Sequence, residues 1–147
     1  MKRLHLHISV DDLQTSTQFY SAIFGQEPTL EKPDYVRWEV DDPNLHLAIS
    51  RQEARGFGID HVGIKTETEN ELEELAARLA SVDAPIRDEP KAECCYAHSD
   101  KHWTRDPSGV VWEMFHTMAQ AQVYGTDRGT QFLAEEKKRQ KAENRCC

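Results

Sequence analysis

Two halves of the sequence repeat the same order of patterns, and this repeat constrains the fold more than any other feature. His5 and His61 stand 56 positions apart, each in a stretch that alternates apolar and polar residues as a half-buried strand does. A helical pattern and further strand patterns follow each stretch, and Asp42-Pro43 in the first half corresponds to Asp106-Pro107 in the second. A unit of this length that occurs twice predicts a duplicated βαβββ module rather than a solenoid.

Local signals give the expected elements of each module. Asp11-Asp12 supplies a helix N-cap with Gln14 as its capping-box partner, and Thr68 forms a capping box with Glu71. The segment 28–34 is predicted as a connecting turn. We expect strands at 4–10, 35–40, 45–49, 60–65, 101–105 and 110–115, and helices over 13–24 and about 72–82.

These elements predict one α+β domain over residues 1–118. Its two modules, at about 1–56 and 57–118, would curl a mixed sheet around a shared cup. A chain of 147 residues is long enough for the core of one such domain. Residues 119–147 are expected to form a charged C-terminal extension, either a solvated helix or a mobile segment, because apolar spacing weakens there and charges dominate.

Composition excludes several classes of partner. A formal net charge of −8 disfavours nucleic acid, whose phosphates require a basic surface. The apolar runs are far shorter than the roughly 20 residues that a membrane span needs. The first residues lack the apolar stretch of a signal peptide, so we expect a cytoplasmic protein that acts on a small molecule. Length and charge allow either a monomer or a homodimer.

Three residues have the chemistry and the positions of a metal site. His5 and His61 are equivalent in the repeat, and Glu113 lies among apolar residues of the last predicted strand, a poor place for an unpaired charge. Two imidazoles and a carboxylate form the facial triad of non-haem Fe(II) oxygenases, which leaves positions open for substrate, oxygen or water. We predict His5, His61 and Glu113, the metal triad, as metal ligands and catalytic residues. His7, on the same strand face as His5, is the alternative first ligand.

The cysteines form two adjacent pairs, Cys94-Cys95 and Cys146-Cys147. Neighbouring cysteines are poor disulfide partners, because their Cα atoms lie about 3.8 Å apart, below the usual disulfide range. Thiolates select soft centres, so we predict that Cys94 and Cys95, the thiol pair, bind a substrate such as trivalent arsenic or a soft metal ion. A buried cysteine that serves only as a small hydrophobe is the alternative. Cys146-Cys147 either captures the same ligand from the tail or is incidental.

Several short blocks of the chain match a known superfamily over about residues 1–118. They are Asp12-Leu13, Phe19-Tyr20, Asp60-His61-Val62-Gly63-Ile64 and the turn Asp106-Pro107-Ser108-Gly109 that leads to Glu113. Together they resemble the vicinal oxygen chelate superfamily of glyoxalase I, bleomycin-resistance proteins and extradiol dioxygenases. A further block comprises Cys94-Cys95-Tyr96-Ala97, Asp100-Lys101, Trp103 and Trp112-Glu113. This block is similar to the carbon–arsenic lyase and cadmium-induced protein family.

This resemblance implies a dioxygenase that uses Fe(II) and O₂ to cleave the carbon–arsenic bond of trivalent organoarsenicals, releasing arsenite from methylarsenite in arsenic detoxification. It implies that the metal triad carries the iron and the thiol pair the arsenic. Ni, Zn, Mn or Co would also suit the donor set in purified protein. His98 and His102 fall in a variable part of the block, where an accessory proton-transfer role and a surface role both fit.

Two other classes of function stay open from the residues alone. A non-catalytic resistance protein would sequester arsenite or cadmium through the thiol pair without turnover. A metalloenzyme of the glyoxalase or extradiol dioxygenase type would use the metal triad independently of the thiols.

Overall fold

Residues 1–51 and 56–125 are described by a computed structural model. The two 12-residue helices among them are too short and too polar to cross a membrane. The elements are β1 (Arg3–Ser9), α1 (Leu13–Phe24), β2 (Leu30–Lys32), β3 (Tyr35–Val40), β4 (Leu45–Ser50), β5 (Gly58–Thr66), α2 (Glu69–Ala80), β6 (Arg87–Cys94), β7 (Ala97–Arg105) and β8 (Val111–Gln120).

The eight strands form one mixed sheet in the order β2-β3-β4-β1-β5-β8-β7-β6. In each half, the first strand pairs in parallel with the last strand: β1 with β4, and β5 with β8. The two halves join where β1 and β5 pair antiparallel at the centre. The sheet curls, so that one cavity is lined by residues of both modules. The predicted α+β fold with two βαβββ modules is confirmed, and a single chain closes the cup.

The two faces of the sheet have different chemistry. On one face, α1 covers a core centred on Trp38, Leu47 and Ile49, each at most 1% exposed. On the other face, strand alternation directs His5, His7 and other polar side chains inward, where they are also buried. This polar interior is the lining of the cup.

The helix ends follow from side-chain caps. The Asp12 carboxylate accepts a hydrogen bond from the Thr15 N–H at 2.6 Å, so Asp12 is the cap of α1, and the predicted pairing of Asp11 with Gln14 is wrong. Thr68 caps α2 as predicted, with its hydroxyl accepting from the Glu71 N–H at 3.2 Å. Helix α2 runs from Glu69, directly after the predicted cap, to Ala80, two residues before the predicted end at 82.

Two strands are absent from the sequence-based prediction, and both lie at the edges of the sheet. The short β2 falls inside the predicted turn 28–34, and β6 falls in a stretch with no predicted element. Edge strands commonly carry charges and proline, which hide the alternation of an ordinary strand. In β6 the sequence around Pro90 is charged, and the ladder shifts register between Glu89 and Ala92. Its partner β7 begins at Ala97, four residues before the predicted start.

The chain after β8 turns back over the β6–β7 hairpin. The Ala121 N–H donates to the Tyr96 carbonyl at 2.8 Å, and the Cys95 N–H donates to the Tyr124 carbonyl at 2.6 Å. The predicted domain end at residue 118 stays a prediction. The rest of the predicted extension, including Cys146-Cys147, lies outside the described residues.

Candidate metal centre

The three residues of the metal triad meet at the bottom of the cup. His5 comes from β1, His61 from β5 and Glu113 from β8, and all three are at most 4% exposed. The Glu113 Oε2 lies 3.2 Å from the His5 Nε2 and 3.1 Å from the His61 Nε2, and the two Nε2 atoms are 3.2 Å apart. Ligands at about 2.1 Å from a first-row metal lie about 3.0 Å apart at right angles. The spacing of these three atoms therefore fits adjacent coordination positions of one divalent metal ion.

Local register explains why these side chains converge. Gly63 pairs with His5 on one side and with Glu113 on the other, at the centre of the sheet. A Cβ added at Gly63 would overlap the backbone carbonyl of Glu113. Glycine here lets β8 lie close against β5, which brings the Glu113 carboxylate to the imidazoles.

Each imidazole is held on the side away from the triad. The His61 Nδ1 lies 2.7 Å from the Asp60 carboxylate. The His5 Nδ1 lies 2.8 Å from the His46 Nδ1 and 3.1 Å from the His46 carbonyl oxygen. Hydrogen bonds of this kind fix the tautomer and orientation of metal-binding histidines, leaving the Nε2 lone pairs for a metal.

Charges at the site match a cation-binding role. Burial alone would raise the pKa of Glu113, but Lys101, His5 and His61 together hold it well below its usual value, so the group is a carboxylate. Burial lowers the pKa of His5. Burial also acts to lower the pKa of His61, yet hydrogen bonds to Asp60 and Glu113 raise it to about 9. In the metal-free site, a proton on the His61 Nε2 therefore faces the Glu113 carboxylate, where a metal cation would otherwise lie.

His7, the alternative first ligand, is held elsewhere. Its Nε2 lies 2.7 Å from the Ser50 hydroxyl. Among the described residues, His7 belongs to a second group of possible ligands with Asp60 and His61, whereas His5 belongs to the group that contains Glu113. The geometry favours His5 as the first ligand.

The first module offers no carboxylate that corresponds to Glu113. In the repeat, His7 of β1 corresponds to Gly63 of β5. Gly63 pairs with Glu113 in β8, and His7 pairs with Ala48 in β4, so Ala48 occupies the position that corresponds to Glu113. Ala48 lines the cup and is 1% exposed. The duplicated fold thus presents three candidate ligands, two from equivalent positions and one from the second module alone.

The thiol pair faces the metal triad across the same cavity. Cys94 ends β6, and the two-residue connection to β7 consists of Cys95 and Tyr96, both with positive φ (58° and 60°). Such a turn usually requires glycine or asparagine, so this one holds two ordinary residues in a sparsely populated conformation. The two sulfurs lie 2.8 Å apart, beyond the disulfide length of about 2.05 Å, and both are free thiols.

The cavity between the sulfurs and the triad has a volume of about 30 Å³. That is room for about two water-sized groups. Its wall includes His5, His61, Glu113, Cys94, Cys95 and Lys101. One small, buried space therefore contains both groups of predicted site residues.

Three residues of the site have no role in the sequence-based prediction. Lys101 places its ammonium 2.6 Å from the Glu113 Oε1, Asp60 holds His61, and His46 holds His5. Asp60 precedes His61 in β5, and His46 is in register with His5. Lys101 is in register with Phe115, two residues beyond Glu113 in β8. Chain adjacency and strand register are the signals that could identify these residues. Residue type alone would predict that Lys101 and Asp60 are exposed, because lysine and aspartate on strands are usually solvated.

His98 and His102 point away from the cup. In β7, Ala97, Ser99, Lys101 and Trp103 are buried, while His98, Asp100 and His102 between them are partly exposed. His102 pairs with the exposed Asp88 at 2.7 Å. The structure does not bring these two histidines to the metal triad or the thiol pair.

Comparison with known proteins agrees with the observed fold. The family model of the glyoxalase/bleomycin resistance protein/dioxygenase superfamily matches residues 2–114. The chain belongs to this superfamily. Membership confirms the resemblance expected from the sequence, and the superfamily name includes dioxygenases among its members.

Two individual relatives are more similar to the chain than the superfamily as a whole requires. The chain is 39% identical over 119 residues to a trivalent organoarsenical cleaving enzyme of Bacillus sp. (strain MD1), covering 80% of this chain and 74% of the relative. It is 32% identical over 126 residues to the cadmium-induced protein CadI of Mycobacterium tuberculosis (strain ATCC 25618 / H37Rv), covering 86% and 83% respectively.

Solved structures of the superfamily share the fold. Homoprotocatechuate 2,3-dioxygenase of Arthrobacter globiformis superposes with a TM-score of 0.59 at 16% identity, over 82% of this chain and 37% of that one. The Mn(II)-bound glyoxalase of Novosphingobium aromaticivorans superposes with a TM-score of 0.57 at 16% identity, over 86% and 43%. The chain thus spans about two fifths of each of these proteins, and the likeness shows the common fold alone.

Proposed function

We propose that the protein is a metal-dependent dioxygenase that uses O₂ to cleave the carbon–arsenic bond of trivalent organoarsenicals. Methylarsenite, CH₃As(OH)₂, and O₂ would give arsenite, As(OH)₃, and formaldehyde, so that the methyl carbon leaves oxidised. One observation carries the proposal: a free thiol pair and a two-histidine, one-carboxylate triad line the same buried cavity. The relatives named as trivalent organoarsenical cleaving enzymes, at 31–39% identity, support the same substrate class.

The thiol pair binds the arsenic. Methylarsenite carries two hydroxyl groups, and each thiol replaces one of them, forming two arsenic–sulfur bonds and releasing two molecules of water. The turn at Cys95 and Tyr96 holds both sulfurs toward the cavity before substrate arrives. Binding through both sulfurs fixes the arsenic and directs its organic substituent toward the metal triad, which supplies the proximity that the reaction needs.

His5, His61 and Glu113 would hold Fe(II). When bound there, Fe(II) would supply O₂ binding and activation. Asp60 and His46 keep the imidazoles oriented, and the burial of the cavity excludes bulk water from the reacting groups. Mn, Co, Ni or Zn would suit the same donors. The cytoplasmic location and the oligomeric state, monomer or homodimer, stay predictions.

An oxygen-dependent assay tests the proposal. The metal-free protein is loaded anaerobically with Fe(II), given methylarsenite and then exposed to air, and arsenite is measured by chromatography with elemental detection. We expect arsenite only when iron and air are both present. Folded, iron-loaded protein that releases no arsenite would exclude the reaction.

Sequestration without turnover is the second candidate, because relatives of similar identity are named cadmium-induced proteins. It requires the thiol pair but not the metal triad. Tight binding of methylarsenite together with recovery of the compound unchanged after exposure to air would favour it. A glyoxalase or extradiol dioxygenase activity, by contrast, would not depend on the thiol pair.

A further inference from the structure

Lys101 contacts both halves of the site. It lies on the inward face of β7 and is 6% exposed. Its Nζ lies 2.6 Å from the Glu113 Oε1 and 3.5 Å from the Cys94 Sγ. It also lies 5.5 Å from the centre of the Trp103 ring. Few lysines are buried to this extent, since removing an ammonium from water is costly unless anions and dipoles compensate for it.

Glu113 compensates for the charge of Lys101 and fixes its place. The two Glu113 oxygens have separate partners: Oε1 accepts from Lys101, while Oε2 faces His5 and His61. The ammonium therefore stays beside the carboxylate without taking the oxygen that faces the imidazoles. Anchored in this way, the same ammonium reaches Cys94 on the adjacent strand.

At Cys94 the ammonium lies at hydrogen-bond distance from the sulfur. The thiolate, not the thiol, is the nucleophile and the soft-centre ligand of cysteine. A buried sulfur lacks the water that would stabilise this charge, so a fixed cation at hydrogen-bond distance replaces it. Cys94 is 2% exposed, and Lys101 is the cation that the structure places next to it.

We propose that Lys101 is a positioning residue for the substrate: anchored by Glu113, its ammonium hydrogen-bonds to the Cys94 sulfur and holds that sulfur in place to bind trivalent arsenic. This inference rests on the proposed function, in which the thiol pair is the arsenic site. It assigns to Lys101 an effect on arsenic binding rather than on metal binding.

Three variants separate this role from a structural one. Lys101→Met removes the charge, Lys101→Arg keeps it, and Lys65→Met is the matched control, because the Lys65 ammonium forms a 2.6 Å pair with Glu39 instead of Glu113. Phenylarsine oxide binding is measured by calorimetry on the metal-free protein, and every protein compared, the reference included, carries Cys146→Ser and Cys147→Ser so that the thiols of the tail do not contribute. Mn²⁺ binding is measured by electron paramagnetic resonance of the free ion, and iodoacetamide alkylation of Cys94 at pH 7 by peptide mass spectrometry.

Lys101→Met is expected to weaken phenylarsine oxide binding about tenfold, which corresponds to about 1.4 kcal/mol, and to slow the alkylation of Cys94. Its Mn²⁺ affinity should be unchanged or higher, because a cation beside the metal site has been removed. Lys101→Arg and Lys65→Met should resemble the wild type in arsenical binding. General loosening of the fold would lower both affinities together and would overturn the proposal.

The outcomes distinguish this inference from the proposed function. Wild-type arsenical affinity and alkylation rate in Lys101→Met would overturn the role of Lys101 alone. A wild-type protein that binds phenylarsine oxide no better than a protein with both Cys94 and Cys95 replaced by serine would overturn the arsenic site itself. If Lys101→Met does not fold, Lys101→Gln removes the same charge while keeping a donor for Glu113, and the same results are expected.

Discussion

The imidazoles of His5 and His61 meet at the seam between the two modules, with their Nε2 atoms 3.2 Å apart although 56 residues separate them in the chain. The seam is the antiparallel pairing of β1 with β5. Because each module contributes one imidazole there, the metal site exists only when both modules are folded against each other. Metal binding is therefore linked to the stability of the whole domain.

His5→Ala and His7→Ala test which histidine of β1 binds the metal. Both residues are buried imidazoles on the same face of one strand, so the two substitutions are closely matched. His5→Ala should lower Mn²⁺ affinity by more than the roughly 100-fold that loss of an outer partner causes. His7→Ala should lower it far less. The reverse order, measured by electron paramagnetic resonance, would make His7 the first ligand.

Asp60→Asn tests the orientation of His61. The carboxylate holds the His61 Nδ1 at 2.7 Å, and asparagine keeps an acceptor but loses the charge. We expect Mn²⁺ affinity to fall by about 10- to 100-fold. An affinity equal to that of the wild type would mean that Asp60 does not support the metal site.

Gly63→Ala tests the close approach of β5 and β8. The added methyl group would overlap the Glu113 carbonyl, so β8 must move. We expect a loss of about 1–3 kcal/mol in unfolding free energy, as overpacking causes, together with weaker Mn²⁺ binding. Gly109→Ala is the control, because Gly109 has a φ of +88° but open space around its Cα. It should destabilise the fold through its backbone and leave Mn²⁺ affinity unchanged; equal metal binding in both variants would contradict the account.

The pKa of His61 predicts how the metal-free protein responds to pH. The pKa of His61 is raised from 6.5 to about 9 in the folded protein. The folded state therefore holds the His61 proton more tightly than the unfolded chain does. The resulting stability is fully present below pH 6.5 and is lost as pH rises through about 9. The melting temperature should therefore fall across this window, and less so in Asp60→Asn. A flat profile in the wild type would contradict the ion pairing of His61.

Below pH 6.5 other histidines determine the trend. Burial lowers the pKa of His5 and holds those of His7 and His46 well below the usual value. The stability that these neutral imidazoles contribute is present above pH 6.5 and is lost as pH falls and protonation favours the unfolded chain. The metal-free protein should thus be most stable near pH 6.5.

The fold could be predicted largely from the repeat. Alternation identifies β1 and β5, and Thr68 caps its helix as expected. The edge strands β2 and β6 could not be predicted, because one is three residues long and the other carries charges and Pro90. An edge strand pairs on one side only, so it needs less of the apolar alternation that identifies a central strand.

The site divides in a similar way. The metal triad follows from equivalence in the repeat and from a carboxylate among apolar neighbours. Lys101 and His46 depend on strand register between β6, β7 and β8 and between β1 and β4, which no local pattern specifies. The register of β7 also decides that Lys101 faces the cup while His98 and His102 face away.

The central claim is that the metal triad and the thiol pair act on one substrate in one cavity. Its most direct test compares wild type with Cys94→Ser, both loaded anaerobically with Fe(II), given methylarsenite and exposed to air. Cys94→Ser should bind as much iron as the wild type and release no arsenite above the iron-only background. Arsenite release by Cys94→Ser at the wild-type rate, or loss of its iron, would contradict the claim.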